Sequence, residues 1–316
     1  MRRTLDCPGL SNEVVVVGSI NADYVISLQH RPAPGETVGD ATLELHPGGK
    51  GANQAVAAAR SGASVCMVAR VGADLIGRTR TEELAAEGIN TAHIRVSADA
   101  HTGMAFITLT PDGENAIAVA PGANACLAAA DIDAAAAIIA GTKVLAIQLE
   151  VPMDSVLRAA ELAGDATLIL NCAPYRPVPA RLLTRTDVLV VNESESGALT
   201  GFAPSSPEDA RRAAVVMQEM GPRAVVVTLG KYGAVVLASR VDQYIPAPRV
   251  RAIDTTGAGD AFVGAVAARL ARGCSLLEAV AFGVAVGSAT TEKVGANAVV
   301  PAGLLDDPPS MGRVKS

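Results

Sequence analysis

Apolar and polar positions divide the chain into short runs that are apolar throughout and longer Ala-rich stretches of helical character. The apolar runs fall at residues 14–17, 65–71, 144–149, 167–170, 188–191, 224–228 and 234–237. Strands apolar on both faces predict a sheet covered on both sides, the habit of parallel sheets. Between them, residues 52–60, 78–87, 153–163 and 207–220 predict helices. Strand and helix therefore alternate, which marks an α/β fold. Near the end, residues 256–272 and 276–290 predict two long consecutive helices.

Two segments break the pattern. Short extended runs at 24–28 and 42–46 are joined by a Pro/Gly-rich link at 31–35, and runs at 104–110 and 116–120 flank Pro111-Asp112-Gly113-Glu114-Asn115, which has hairpin chemistry. These runs are expected to pair as a small sheet outside the main one and to act as a lid; two hairpins decorating the core are the plainer alternative. The tail from 306 to 316 is expected to fray.

The 316 residues are 50% hydrophobic, enough for a large core in one α/β domain spanning 1–316. Aromatics make up 3% and Trp is absent, so that core must be built from Ala, Val, Leu and Ile packed through small side chains. The formal net charge of −6 and the lack of a Lys/Arg run argue against a nucleic-acid partner. Cys7, Cys66, Cys126, Cys172 and Cys274 are scattered, and His30, His46, His93 and His101 show no ligand spacing. Widely spaced cysteines fit reduced thiols and a cytoplasmic location. Arg2 and Arg3 are followed by Asp6 and Pro8 rather than an apolar stretch, so no signal peptide is expected, and the run at 14–17 is too short to span a membrane.

Five segments carry candidate chemistry. Asp254-Thr255-Thr256-Gly257-Ala258-Gly259-Asp260 opens a helix; small residues admit close backbone approach, and amides at a helix start bind anions. Asp260 in that turn can take a proton from an alcohol while the amides hold charge developing on a phosphoryl oxygen. An ordinary capped helix start uses the same residue types. Gly48-Gly49-Lys50-Gly51-Ala52-Asn53-Gln54 enters a second helix, and Asn53 can exchange hydrogen bonds with a polyol. It is not a Walker A loop, because Lys50 precedes Gly51. Ser19-Ile20-Asn21-Ala22-Asp23 follows the first strand, where parallel sheets bind ligands. Asn192-Glu193-Ser194-Glu195 follows another strand, where a carboxylate can order Mg²⁺-bound water near phosphates. Thr228-Leu229-Gly230-Lys231-Tyr232-Gly233 joins two strands and either admits a nucleotide or makes a hairpin.

These segments, with Pro34-Gly35-Glu36-Thr37, resemble the two signatures of the ribokinase (PfkB-type) carbohydrate kinases from about residue 14 to 301. The resemblance implies a three-layer sandwich with a mainly parallel central sheet, plus a small β lid, formed by about 24–47 and 103–120, that also makes a homodimer contact. It implies transfer of phosphate from Mg-ATP to a hydroxyl of a free sugar, D-ribose 5-phosphate being the expected product, with K⁺ as activator. Asn21, Asp23, Gly48, Gly49, Lys50, Asn53 and Glu150 would meet the sugar. Asn192, Glu195, Thr228, Gly230 and Gly233 would serve the nucleotide and its Mg²⁺, with Gly259 touching the nucleotide as well. Gly257, Ala258 and Gly259 match the anion hole, and Asp260 the general base. Asp254, Thr256, Thr290, Lys293 and Gly295 fall where the family binds K⁺, largely through backbone carbonyls. Val299 stands where a Ser ligand for K⁺ is common, and Val284 where a polar residue often lies beside adenine.

Other readings keep distinct signatures. A nucleoside kinase would want aromatic stacking partners, which are scarce here. Deoxyribose or fructose would use the same chemistry. A non-catalytic sugar-binding regulator would have no use for Asp260. A dinucleotide oxidoreductase would carry G-x-G-x-x-G after the first strand, where Gly18-Ser19-Ile20-Asn21 stands instead.

Overall fold

The computed structural model describes residues 12–112, 115–296 and 298–305. The tail at 306–316, Cys7 and part of the 111–115 turn lie outside the described residues. The chain first runs through β1 (Val14–Val17), β2 (Asn21–Ser27), β3 (Thr42–Gly48), α1 (Lys50–Arg60), β4 (Val65–Gly72), α2 (Leu75–Ala86), β5 (Asn90–Ser97), β6 (Gly103–Leu109) and β7 (Asn115–Ala120). A 3-10 turn at Gly122–Cys126 leads to α3 (Ala129–Ala134), α4 (Ala136–Ala140), β8 (Val144–Ile147), α5 (Met153–Leu162), β9 (Thr167–Asn171), α6 (Ala180–Arg185) and β10 (Val188–Val191). The last part comprises α7 (Glu193–Thr200), α8 (Pro207–Glu219), β11 (Ala224–Thr228), β12 (Gly233–Ala238), β13 (Val241–Pro246), α9 (Ala258–Ala271) and α10 (Leu276–Thr290).

Nine strands form one sheet in the order β13-β12-β11-β10-β9-β8-β1-β4-β5. From β11 to β5 every pairing is parallel, and β12 and β13 add an antiparallel edge. Side chains alternate across this sheet, so successive residues of one strand enter different cores. Val15, Val17, Cys66, Val68, Leu145 and Ile147 pack with Ile132, Val156, Leu182 and Met217 from helices on one side. Val14, Val16, Val65, Met67, Val144 and Ala146 pack with Ala52, Ala55, Phe262, Val263 and Val280 on the other. This double burial explains why the strands read as unbroken Val-rich runs.

Small side chains set the helix packing. A Cβ on Gly264 of α9 would lie 2.3 Å from the Gln54 carbonyl oxygen and 2.6 Å from the Ala57 Cβ, so α1 and α9 touch backbone to backbone. The strand order reverses between β1 and β8, and a crevice opens beyond their carboxyl ends at such a switch. The two irregular segments pair as a separate four-stranded sheet, β3-β2-β6-β7, which agrees with the sequence expectation.

Element boundaries differ from the sequence pattern where caps decide them. Helix α2 starts at Leu75, three residues before the expected position, because the Asp74 carboxylate accepts from the Gly77 N–H at 2.7 Å. Helix α9 starts at Ala258 rather than 256, because Asp254 instead holds the Thr256 N–H at 2.9 Å. Strands β5 and β13 are not signalled by the pattern. Both lie at sheet edges, where Asn90, His93, Arg95, Asp242 and Gln243 replace the apolar run.

Candidate active site

The crevice at the β1/β8 switch gathers the glycine-rich entry to α1. Gly49 has φ 91°, and a Cβ there would stand 2.6 Å from the Asn21 N and 2.9 Å from the Ser19 carbonyl oxygen. The backbone lies flat against the start of β2 because residue 49 has no side chain. Glu150, beyond β8, receives the Lys50 N–H at 3.0 Å and a short hydrogen bond from the Ser19 hydroxyl. It thereby sits on the amino end of α1, where a helix favours negative charge.

Asn21 and Asp23 share one face of β2 and point to the same side as Gly48, their neighbour on β3. A Cβ on Gly48 would fall 2.0 Å from the Asp23 Oδ1, so this glycine makes room for the carboxylate. Asn21 is oriented by Asn124, whose Nδ2 donates to its Oδ1 at 2.7 Å while the Asn124 Oδ1 accepts from the Ile20 N–H at 2.9 Å. The Asn21 amide donors are thereby turned away from Asn124. Asp23 Oδ1 is buried without a hydrogen-bond partner. Burial, and next the charge of Glu150, push the Asp23 carboxyl up to about 6; Asp260 adds to this, and Arg80 and His46 oppose it.

Asp260 occupies the first turn of α9 and is 7% exposed. Asn53 donates from Nδ2 to its Oδ2 at 3.0 Å, and Gln54 donates from Nε2 to its Oδ1 at 3.1 Å. The Lys50 ammonium is raised above its ordinary value by the Asp260 carboxylate, against burial, with Glu150, Glu195 and Asp23 contributing. Two helices thus bring a carboxylate, an ammonium and an amide to the place where the small sheet presents Asn21 and Asp23.

No side chain caps α9, and Gly257, the residue before it, has φ 73°. A Cβ on Gly257 would meet the Ala296 Cβ at 2.6 Å, whereas one on Gly259 would meet nothing within 4 Å. The Ala258 N–H reaches the Thr255 carbonyl at 3.2 Å, but no side chain caps this first turn and the space around Gly259 is open, an arrangement suited to an anion. The ordinary capped start that the residue types also allow is not what forms.

Other candidates are committed elsewhere. Asn192 and Glu195 form a capping box on α7, with both bonds at 2.9 Å. Burial raises the Glu195 carboxyl, while the Asn192 N–H and Lys50 pull it down. The Thr228 hydroxyl donates to the Val191 carbonyl at 3.3 Å. The Thr228–Gly233 link is a hairpin turn between β11 and β12; Gly230 has φ 49°, and the Gly233 Cα lies so near the Ile245 carbonyl oxygen that a Cβ would be 2.0 Å away. Strand pairing alone therefore demands glycine at 233.

Asp254 ties its loop to the segment after α10. Its carboxylate accepts from the Thr256 N–H at 2.9 Å, the Thr256 hydroxyl at 2.6 Å and the Gly295 N–H at 2.8 Å. Burial opposes ionisation there, but the bonds from Thr256 and Gly295 outweigh it and hold the carboxyl below its usual value. Thr290 donates to the Val286 carbonyl at 2.8 Å and accepts from the Val299 N–H at 3.0 Å, and Lys293 is exposed. Val284 is buried in the core.

Four polar groups escape sequence reasoning: Asn124, which orients Asn21, Gln148 and Asn171, which bind Gln54, and Arg80, 6% exposed on α2, whose charge acts on Asp23. Only a buried amide or guanidinium in an apolar stretch would have signalled them, and burial is not visible in the pattern.

Residues 11–303 match the model of the pfkB family carbohydrate kinases. The chain belongs to that family, and with it to the kinases that transfer phosphate to a sugar. Among named relatives, it is 39% identical over 303 residues to the ribokinase of Haemophilus influenzae, covering 95% of this chain and 96% of that one. It is 40% identical over 263 residues to the ribokinase of Mus musculus, at 82% and 81% coverage. The solved structure of Arabidopsis thaliana ribokinase complexed with ribose and ATP superposes with a TM-score of 0.83 at 30% identity, over 91% of this chain and 95% of that one.

Proposed function

We propose that the chain phosphorylates D-ribose, converting ribose and ATP to D-ribose 5-phosphate and ADP. One observation carries this reading: Asn53, in the first turn of α1, whose glycine-rich entry packs on the start of β2, is 3.0 Å from the carboxylate of Asp260 at the start of α9, which no side chain caps. A polyol held by Asn21, Asp23, Gly48, Gly49, Lys50, Asn53 and Glu150 would bring a hydroxyl to Asp260. Asp260 takes the hydroxyl proton, and the freed oxygen pair forms the bond to the γ-phosphorus. The bond to the β-phosphate oxygen breaks, and its electron pair leaves with ADP. Lys50 and the Gly257-Ala258-Gly259 amides hold the charge on the transferring group.

Thr228, Gly230, Gly233 and Gly259 are assigned to the nucleotide. Among the described residues, no group of three or more His, Cys, Asp or Glu side chains could hold a metal ion. Mg²⁺ bound mainly through phosphates and water suits that composition, with Asn192 and Glu195 as the nearest assigned protein partners. When bound, Mg²⁺ neutralises phosphate charge. For K⁺, the side chains of Asp254 and Thr290 are largely taken by chain donors, so Asp254, Thr256, Thr290, Lys293 and Gly295 would serve chiefly through backbone carbonyls.

The small sheet is assigned as the lid over the sugar and as a dimer contact. Its face away from Asp23 exposes Leu43 at 62%, Leu45 at 57% and Phe106 at 39%, and Phe106 stacks on Tyr24 at 5.3 Å. An apolar sheet face of this kind suits a second copy of the chain. Sedimentation is expected to show dimers that Leu45→Glu converts to monomers; a monomeric parent chain would remove the assignment. A cytoplasmic location is proposed from the unpaired Cys66, Cys126, Cys172 and Cys274.

An ADP-release assay over ribose, deoxyribose, fructose and adenosine, with K⁺ or Na⁺, tests the reading. Ribose should give the highest kcat/KM, and K⁺ should raise it. Turnover with adenosine alone would replace ribose by a nucleoside. A pH dependence follows from Asp23. A carboxyl raised to about 6 is protonated below that pH and no longer accepts two sugar hydroxyls, so ribose affinity should fall as pH drops through 6. Calorimetry at pH values on both sides of 6 checks this, and flat affinity would take Asp23 out of the sugar site.

A further inference from the structure

The glycine-rich signature at α1 ends in Gln54, a residue none of the assigned roles uses. Gln54 is fully buried in a helix otherwise lined by Ala52, Ala55, Ala57 and Ala58. Alanine or leucine would suit that packing, and a buried amide is tolerated only when its polar atoms are matched. Here they are. The two hydrogens of its Nε2 go to the Asn171 Oδ1 at 2.9 Å and the Asp260 Oδ1 at 3.1 Å, and its Oε1 accepts from the Gln148 Nε2 at 2.5 Å. Its amide cannot be flipped. Asn171 uses its own Nδ2 on the Val190 carbonyl at 3.3 Å, so its Oδ1 is an acceptor, and an ionised Asp260 only accepts. A flipped Gln54 would turn its oxygen on both and its NH₂ on that of Gln148.

We infer that Gln54 is a positioning residue for phosphoryl transfer: fixed by Gln148 and Asn171, it occupies Oδ1 of Asp260 and leaves Oδ2 as the oxygen that takes the sugar's proton. The inference rests on the reading of Asp260 as base. A proton on Oδ1 would oppose the N–H of a Gln54 that is buried and held by three bonds, whereas Oδ2 accepts from Asn53 at 3.0 Å, a half-buried side chain whose amide can turn to the sugar as the proton arrives. Four elements meet in this string, namely the end of β8, the first turns of α1, the end of β9 and the start of α9. The carboxylate is thereby tied to the sheet that carries Glu150.

The test is a double-mutant cycle in the full chain with ribose and ATP. Gln54→Met should lower kcat about 10- to 100-fold with both KM values within about threefold, because the base is misaimed while the sugar and nucleotide contacts stay. In an Asp260→Asn background the same substitution should remove nothing further, since the group it aims is gone. A folded Gln54→Met enzyme with unchanged kcat, or a loss that recurs in full in the Asp260→Asn background, overturns the inference and leaves a structural amide. If Gln54→Met does not fold, Gln148→Leu, which frees the Gln54 oxygen, goes through the same cycle: a kcat loss confined to the Asp260 background supports the inference, and an unchanged kcat or a loss in both backgrounds overturns it. Full turnover by Asp260→Asn alone would instead sink the base reading itself, and the inference with it.

Discussion

Asp260→Asn is expected to lower kcat by about 10²- to 10⁴-fold, the usual yield of a positioned general base, while the protein stays folded. The substitution keeps shape and removes the ability to accept a proton. The two neighbours of the carboxylate make it informative. Asn53 and Gln54 both donate to it, so an amide at 260 must turn its NH₂ toward one of them, leaving one donor unmatched at a cost of about 1–3 kcal/mol. A modest drop in melting temperature is therefore expected alongside the kinetic loss. Sugar affinity should persist, because Asn21, Asp23 and Glu150 are untouched. Steady-state kinetics with calorimetric binding of ribose separates these effects. Full turnover by a folded variant would remove Asp260 from the chemistry.

Gly49→Ala should lower kcat/KM for ribose by about 10²-fold or more. Its φ of 91° disfavours any L side chain, at a cost of about 1–2 kcal/mol. Space is the larger obstacle. The new Cβ would lie 2.6 Å from the Asn21 N and 2.9 Å from the Ile20 Cα, both backbone, so no side chain can rotate away. Relief requires β2 to part from the α1 entry, which moves Asn21 and Asp23 relative to Asn53. A shift of about 1 Å in such a constellation is worth roughly that factor. Gly39→Ala is the control, because a Cβ there meets nothing within 4 Å and the residue has no assigned role. Equal losses in the two variants would show that the crowding at 49 is not what matters.

Much of the fold is legible in the sequence because burial on both faces leaves unbroken apolar runs. Val14–Val17, Val188–Val191 and Ala224–Thr228 are strands at the expected positions, and Leu276–Thr290 is one helix. The edges are not, since β5 and β13 are half solvated and carry charged residues. The α9 start lies two residues later than the pattern suggests because Asp254 holds the Thr256 N–H, and Asp254 is itself fixed by Gly295, a contact separated by 41 positions. At the site, Asn53 and Asp260 are legible because each sits in a glycine-rich helix entry. Gln148, Asn171, Asn124 and Arg80 are not, because each acts through a partner far along the chain and none lies in a motif.

Asn21 and Asp23 belong to the small sheet, whereas Asn53 and Asp260 belong to helices locked together at Gly264. On the proposed reading a ribose is gripped from the small sheet and from the helices at once, and its own hydroxyls are what pull the entrance shut. The sugar is then both reactant and latch. A pentose lacking the hydroxyl that reaches Asp23 would leave the door ajar, admit water to the γ-phosphate and burn ATP without product, so fidelity would show as wasted nucleotide rather than as weaker binding alone.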